Sequence, residues 1–310
     1  MIQQILSPPR STTCLLKYLT KFNKQSNYTS IIVVRTAISL TKRVPKMAWR
    51  SSGSSNKALV ENLVRNKMIT SDAIKAAFLS VDRAHYAPSS PYEDSPQAIG
   101  HRATISAPHM HANAAESLLP YLQPSKSRPR RVLDIGSGSG YLTHILAELA
   151  GEDGVVVGVE HIEALRTLGE ANMSKSPEGR ALLSSGRVRF RVGDGRKGWV
   201  EPETLGSSSG AGNTAKKETP NSSEGKVGGA ADTDDSQGWD AIHVGAAAAE
   251  LHGELVAQLR KPGRMFIPVE DEGQRWEQYI WVVDKDEQGK VEKKRLFGVR
   301  YVPLTDAPGT

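Results

Sequence analysis

The stretch Val132-Leu133-Asp134-Ile135-Gly136-Ser137-Gly138-Ser139-Gly140 constrains this chain more than any other. A β-prone apolar run carries an acid, glycines follow at alternate positions, and a helical pattern opens at Tyr141. This is the first strand–loop–helix of a doubly wound α/β sheet, where ligands bind in the loops that leave the carboxyl ends of the strands. Glycine lets the backbone approach a ligand with no Cβ in the way. The dinucleotide fingerprint Gly-x-Gly-x-x-Gly, counted from Gly136, needs its last glycine at position 141, where Tyr141 stands. The pattern is instead Asp-x-Gly-x-Gly-x-Gly. The plain alternative is a glycine-rich turn that holds no ligand.

Charge is unevenly placed. Of the 40 Lys and Arg, nine fall in residues 1–50, which hold no Asp or Glu. The remainder carries 31 basic residues (40 − 9) against 34 acidic ones, a net charge of −3. The formal +6 therefore belongs to the arm, and the body is no extended phosphate-tracking surface. Cys14 is the one cysteine, so there is no disulfide framework and no cysteine metal site. No apolar run reaches the ~18–20 residues of a membrane-spanning helix.

Residues 1–46 are Ser/Thr-rich, basic and free of acid, like a mitochondrial transit peptide. Two other readings fit: an extension ahead of a true start at Met47, or a disordered arm. From Met47 the spacing predicts helices over Ala58–Asn66 and after Thr70-Ser71-Asp72, the second with Ile74, Ala77, Phe78 and Val81 inward. Residues 91–100 read as an irregular loop. Pro108 suits the first turn of a helix reaching Leu122. Thr104, Ser106 and free amides at its entrance would favour an anion, or Ser106 is only a cap. After the glycine loop, a helix spans Tyr141–Ala150. A buried strand, Val155–Val159, then ends at Glu160, placed to accept from ribose hydroxyls. A solvated acid or a helix cap is its bland reading.

A helix over His161–Asn172 and a strand over Arg187–Val192 follow. The strand ends at Gly193-Asp194-Gly195, either an acceptor for an exocyclic amine or a turn. Residues 205–238 are nearly devoid of apolar side chains and read as a disordered insertion in a surface loop of a single domain, 47–310. Beyond it come a strand from Trp239, a helix over 247–260, a turn at Lys261-Pro262-Gly263, a strand over Arg264–Val269, and antiparallel strands over Tyr279–Val283 and Arg295–Val302.

The glycine loop resembles that of class I S-adenosylmethionine methyltransferases. Several further stretches are similar to protein-L-isoaspartate (D-aspartate) O-methyltransferases. They include Pro91-Tyr92-x-Asp94-Ser95-Pro96-Gln97, Thr104-Ile105-Ser106-Ala107-Pro108-His109-Met110-His111, Gly193-Asp194-Gly195-Arg196, Asp240-Ala241-Ile242-His243-Val244-Gly245-Ala246-Ala247 and Tyr301-Val302-Pro303-Leu304-Thr305-Asp306. The resemblance spans about residues 47–310 and rests most on the Thr-Ile-Ser-Ala-Pro-His-Met block. It implies a class I Rossmann-like α/β/α sandwich with helices on both faces, S-adenosyl-L-methionine as cofactor, and methyl esterification of isoaspartyl residues in proteins and peptides. By the same resemblance the cofactor contacts are Ala103, Thr104, Ile105, Ser106, His111, Asp134, Gly136, Ser137, Gly138, Glu160, His161, Asp194, Gly195 and Thr305. Ser106 is the active-site serine. No metal, nucleic acid or membrane is expected, and the enzyme is expected to be a cytoplasmic monomer, with mitochondria as the alternative compartment. The arm, the insertion and the short tail after Asp306 depart from the family pattern.

A carboxylate acceptor is ionised at neutral pH, so no strong base is needed, and Ser106 is assigned to orient it rather than to attack. A triad of Ser106 with His109 or His111 lacks an evident third group. Two other classes compete: a methyltransferase for nucleic acid or a small molecule, and a non-catalytic module of the same fold.

Overall fold

The computed structural model describes residues 51–125, 128–201, 237–271 and 274–306. The chain divides into two units, Met1–Met47 and Ala48–Thr310. The arm and nearly all of the 205–238 segment lie outside the described residues.

Two helices open the second unit, α1 (Asn56–Arg65) and α2 (Asp72–Ser80). A hairpin of β1 (Gln97–Gly100) and β2 (Ala103–Ile105) follows, then α3 (Pro108–Leu122). Then β3 (Arg131–Ile135), α4 (Tyr141–Leu149), β4 (Val155–Glu160), α5 (Glu163–Met173), α6 (Pro177–Ser184) and β5 (Val188–Val192) alternate. The last part holds β6 (Trp239–Val244), α7 (Gly253–Ala257), β7 (Leu259–Asp271), β8 (Gln274–Lys285) and β9 (Val291–Val299). The large sheet has the order β5-β4-β3-β6-β7-β8-β9. It is parallel from β5 to β7, and β8 and β9 add antiparallel.

Strand side chains alternate between faces, so each inner strand feeds both cores. Val132, Val156, Ala241 and Phe266 join one apolar cluster with α1 to α6. Leu133, Val157, Ile242 and Met265 join the other, closed by Leu255 of α7 with Trp199 and Leu251 packed against it. Both faces are thus covered, but among the described residues the second has only one short helix.

Four local expectations change. The loop at 91–100 ends in the β1–β2 hairpin, whose turn holds His101 and Arg102 at φ 50° and 59°. The helix expected over 247–260 shrinks to α7, because Ala247 and Ala248 form parallel bridges with Pro303 and Val269 and use their backbone groups sideways. Lys261-Pro262-Gly263 is a bulge inside β7 rather than a turn before it. Helix α6 was unforeseen, although Ser176-Pro177 is a start signal: Ser176 Oγ accepts from Gly179 N at 3.0 Å. The chain leaves towards the 205–238 segment near Trp199 and returns at Trp239, whose Nε1 donates to Trp199 O at 3.0 Å.

The start of α2 is held from α3. Ser71 is its N-cap but makes no side-chain cap bond. Glu116 instead accepts from Thr70 N at 2.6 Å, Ser71 N at 2.8 Å and Ser71 Oγ at 2.6 Å. Burial pushes this carboxyl up, but the Ser71 hydroxyl and the two amides outweigh it and hold it below its ordinary value. We expect Glu116→Gln to cost about 1 kcal/mol, as loss of a cap does. A group with a depressed folded pKa stabilises fully above its unfolded value, here 4.5, and the stabilisation fades as pH falls through the folded value. Chemical denaturation of wild type and variant at pH 7 and at pH 3 should therefore show a gap that narrows in acid.

Candidate active site

The sheet order reverses around β3, with β4 on one side and β6 on the other. Such a switch point is where open α/β sheets bind ligands. A cleft of ≈ 380 Å³ opens there, at the carboxyl ends of β3 to β6. Its floor is Gly136 and Gly138 after β3, Glu160 and His161 at the end of β4, Gly193 and Gly195 after β5, and Gly245 and Ala246 after β6. The hairpin turn at 101–104 and the segment 302–306 form its outer walls.

The glycines are required by shape. Gly136 has φ +73° and Gly140 has φ +81°, and a Cβ on Gly140 would lie 3.0 Å from Gly169 O of α5. Helix α5 therefore packs directly onto the loop, and the loop leaves the cleft open. Glu160 is 4% exposed. Its Oε2 accepts from Gly138 N at 3.1 Å, and its Oε1 accepts from His161 N at 2.9 Å and Ile162 N at 3.3 Å. The carboxylate thus ties the glycine loop to the entry of α5 and still has lone pairs to offer the cleft. Glu160 is not the cap of α5, since Ile162 holds the N-cap position; it lines the cleft instead.

Ala103, Thr104, Gly136, Gly138, Glu160, His161, Gly195 and Thr305 line this cleft together. The other expected contacts lie outside its wall. Asp134 sits behind the loop, accepting from Thr143 Oγ1 at 2.6 Å and facing His243 Nδ1 at 2.7 Å. His111 is buried beside Arg83, and Ile105 is buried in the core. Burial, then the Arg83 charge, holds His111 well below its ordinary pKa. Both oxygens of Asp194 are engaged by Arg196, at 2.8 and 2.9 Å, so an exocyclic amine would have to compete with that guanidinium. Ser137 lies just under the floor, its buried Oγ without a hydrogen-bond partner among the described residues.

Ser106 stands two residues beyond Thr104, half-buried between β2 and α3. It is not a cap, since Ala107 holds the N-cap position of α3. Nor are the helix amides free for an incoming anion. Asp94, 4% exposed, already accepts from His109 N at 2.9 Å and lies 2.7 Å from His109 Nδ1. Asp94 therefore supplies the orienting group that a triad would need, but no hydrogen bond joins His109 to Ser106 among the described residues.

Two residues beside Ser106 were not among the expected site residues, although Tyr301 opens one of the stretches that resemble the family. Arg83 Nη2 donates to Ser106 O at 2.7 Å. The Tyr301 hydroxyl stands near the Ser106 side chain, and burial pushes its pKa up to about 12. The Gln278 amide pins Tyr301 through its backbone, accepting from Tyr301 N at 2.6 Å.

The family model described as "Protein-L-isoaspartate(D-aspartate) O-methyltransferase" matches residues 54–204 and 213–309. The chain belongs to this family. A Caenorhabditis elegans protein-L-isoaspartate O-methyltransferase is 41% identical over 259 residues, covering 84% of this chain and 96% of the relative. The Arabidopsis thaliana protein-L-isoaspartate O-methyltransferase 1 is 39% identical, with 84% and 96% covered. Among solved structures, a Plasmodium falciparum chain described as a β-aspartate methyltransferase, in complex with S-adenosyl-L-homocysteine, superposes with a TM-score of 0.63 at 29% identity, covering 82% of this chain and 99% of that one.

The cofactor of this methyltransferase is S-adenosyl-L-methionine, and the cleft fits it. Glu160 offers a buried carboxylate for ribose hydroxyls, and the unpartnered Ser137 Oγ offers a hydroxyl beneath the glycine loop. Ile162, Leu165 and Leu304 give an apolar flank suited to a purine.

Proposed function

We propose that this methyltransferase transfers the methyl group of S-adenosyl-L-methionine to the α-carboxyl of L-isoaspartyl and D-aspartyl residues in damaged proteins and peptides, giving the methyl ester and S-adenosylhomocysteine. The observation that carries this reading is the placement of the Thr104–Ser106 segment. Thr104 lines the cofactor cleft, and Ser106, inside the block most specific to the family, stands immediately beyond it.

The bound cofactor supplies a methyl group already activated on a sulfonium. An acceptor carboxylate, with an ordinary pKa of about 4, is ionised at neutral pH and needs no base. The task left to the chain is alignment of acceptor oxygen with the methyl carbon. Ser106 is assigned to hydrogen-bond the acceptor carboxylate and orient it. The Tyr301 hydroxyl, close to the Ser106 side chain, stays protonated at neutral pH.

Transfer from labelled S-adenosylmethionine to matched peptides, one with L-isoaspartate and one with aspartate, tests this. Only the isoaspartyl peptide should be methylated. Ser106→Ala should lower kcat/KM about tenfold, the low end for loss of a hydrogen bond to a charged group, with cofactor affinity unchanged. Equal labelling of both peptides, or of neither, would sink the reading.

We place the enzyme in the cytoplasm as a monomer that acts on proteins and peptides, not on nucleic acid. The −3 body disfavours phosphate tracking. The outer strand β9 carries exposed Lys293 and Lys294, the charges that blunt edge pairing. The basic, acid-free arm supports mitochondria as the alternative compartment.

A further inference from the structure

We propose that Arg83 is a positioning residue for methyl transfer: its guanidinium fixes the backbone of Ser106 and sets a buried positive charge beneath the seat of the acceptor carboxylate. This rests on the isoaspartyl reading above.

Arg83 lies in the short turn after α2 and is 0% exposed. Its Nη2 donates to Ser106 O at 2.7 Å. Its Nη1 lies 3.2 Å from His111 Nδ1. Since His111 is held neutral, that nitrogen accepts and the ring proton sits on Nε2. The guanidinium carbon stands 5.0 Å from the centroid of the Tyr141 ring. Its Nε has no hydrogen-bond partner, and no carboxylate pairs with it among the described residues. Every direct partner of this cation is neutral, and the nearest acid to act on it, Asp94, does so from beyond ion-pair distance while engaged by His109. A buried charge with no directly paired carboxylate is costly, and folds seldom keep one for packing alone. The acceptor carboxylate, arriving at Ser106, is the anion that would balance it.

The geometry also explains how Ser106 is held. Arg83, from before the hairpin, grips its backbone carbonyl at 2.7 Å. A buried anchor from a separate element thus fixes one residue of a half-buried segment. If Arg83 acts through Ser106, removing either should make the other matter less.

The test is a double-mutant cycle on the full chain. Methylation of the L-isoaspartyl peptide is measured for wild type, Ser106→Ala, Arg83→Met, Arg83→Lys and the two doubles, with S-adenosylhomocysteine binding measured for each. Binding should stay within about twofold throughout, because Arg83 does not line the cleft and distant sites are independent. Arg83→Met should lower kcat/KM about tenfold, as Ser106→Ala does, and the serine replacement should then cost under about threefold. Arg83→Lys keeps the charge but not the fork, and should recover KM more than kcat. Should Arg83→Met lose cofactor binding through misfolding, the Arg83→Lys cycle carries the test with the same criterion. Additive penalties with intact binding would overturn the proposal and leave Arg83 a packing residue. A wild-type enzyme that binds S-adenosylhomocysteine but methylates neither peptide would instead refute the isoaspartyl reading itself.

Discussion

Asp240→Ala is expected to lower the stability of the fold by about 3–5 kcal/mol, the cost of breaking a buried ion cluster by removing the carboxylate at its centre. Asp240 is 0% exposed at the start of β6. Its Oδ2 accepts from Arg260 Nη1 at 2.7 Å and from Arg131 N at 2.8 Å, and its Oδ1 accepts from Arg128 Nη2 and Arg130 Nη1 at 3.2 Å each. Arg260 is itself only 5% exposed. The carboxylate thus holds together β6, β7, the approach to β3 and the segment before it. Without it, the guanidinium groups of Arg128, Arg130 and Arg260 lose the carboxylate they share. In a domain of this size each kcal/mol moves the melting temperature by about 2–4 °C, so a drop on the order of 10 °C is expected. Asp240→Asn keeps the shape and loses the charge, and should fall between wild type and alanine. Calorimetric melting, with guanidinium midpoints beside it, reads the effect. A loss below about 1 kcal/mol, the scale of a surface pair, would show that this cluster is solvated rather than structural.

Glu160→Ala is expected to weaken binding of S-adenosylmethionine and of S-adenosylhomocysteine about a hundredfold. Hydrogen bonds to a charged group contribute about 1.5–3 kcal/mol each, and two ribose hydroxyls on one carboxylate reach the ~2.7 kcal/mol that a hundredfold change requires. The same carboxylate also tethers the glycine loop through Gly138 N and the entry of α5 through His161 N and Ile162 N. Its loss therefore loosens the floor of the cleft as well as removing an acceptor. Glu160→Gln keeps the size of the side chain and should lose less, because an amide oxygen accepts more weakly than a carboxylate. Isothermal calorimetry with S-adenosylhomocysteine separates the cases. An affinity within threefold of wild type would remove Glu160 from the cofactor site.

The parts of the molecule that were legible in sequence share one property: their meaning is local. Val132–Gly140 announces a strand, a loop and a helix within nine residues, and β3, the cleft floor and α4 follow from it. The acid at the end of β4 was readable because strand, tip and spacing lie within one βαβ unit. Helix α6 had the same kind of local signal, in Ser176-Pro177, and was legible though not read.

What escaped depends on long-range pairing. Residues 247–252 have helical composition, yet bridges from Ala247 to Pro303 and from Ala248 to Val269 keep them out of a helix. Asp94 and His109 are 15 residues apart, and only the packing of the 91–100 loop against α3 turns a helix entrance expected to be open to an anion into an occupied one. Asp134 and His111 carried the right chemistry for cofactor contacts, but tertiary partners, His243 and Arg83, engage them away from the cleft wall.

The sequence by itself determined the order of strands and helices, the class of fold, the family and the floor of the cofactor cleft. These depend on hydrophobic period, turn chemistry and spacing, which act over a few residues and are written along the chain. Only the tertiary structure decided which polar groups face the cleft and which are tied up behind it, and which residues hold Ser106. Those outcomes depend on burial. A charged or polar side chain taken out of water must find a partner wherever the fold brings one, and the partners of Ser106, Asp134 and Asp240 come from segments up to 112 residues away.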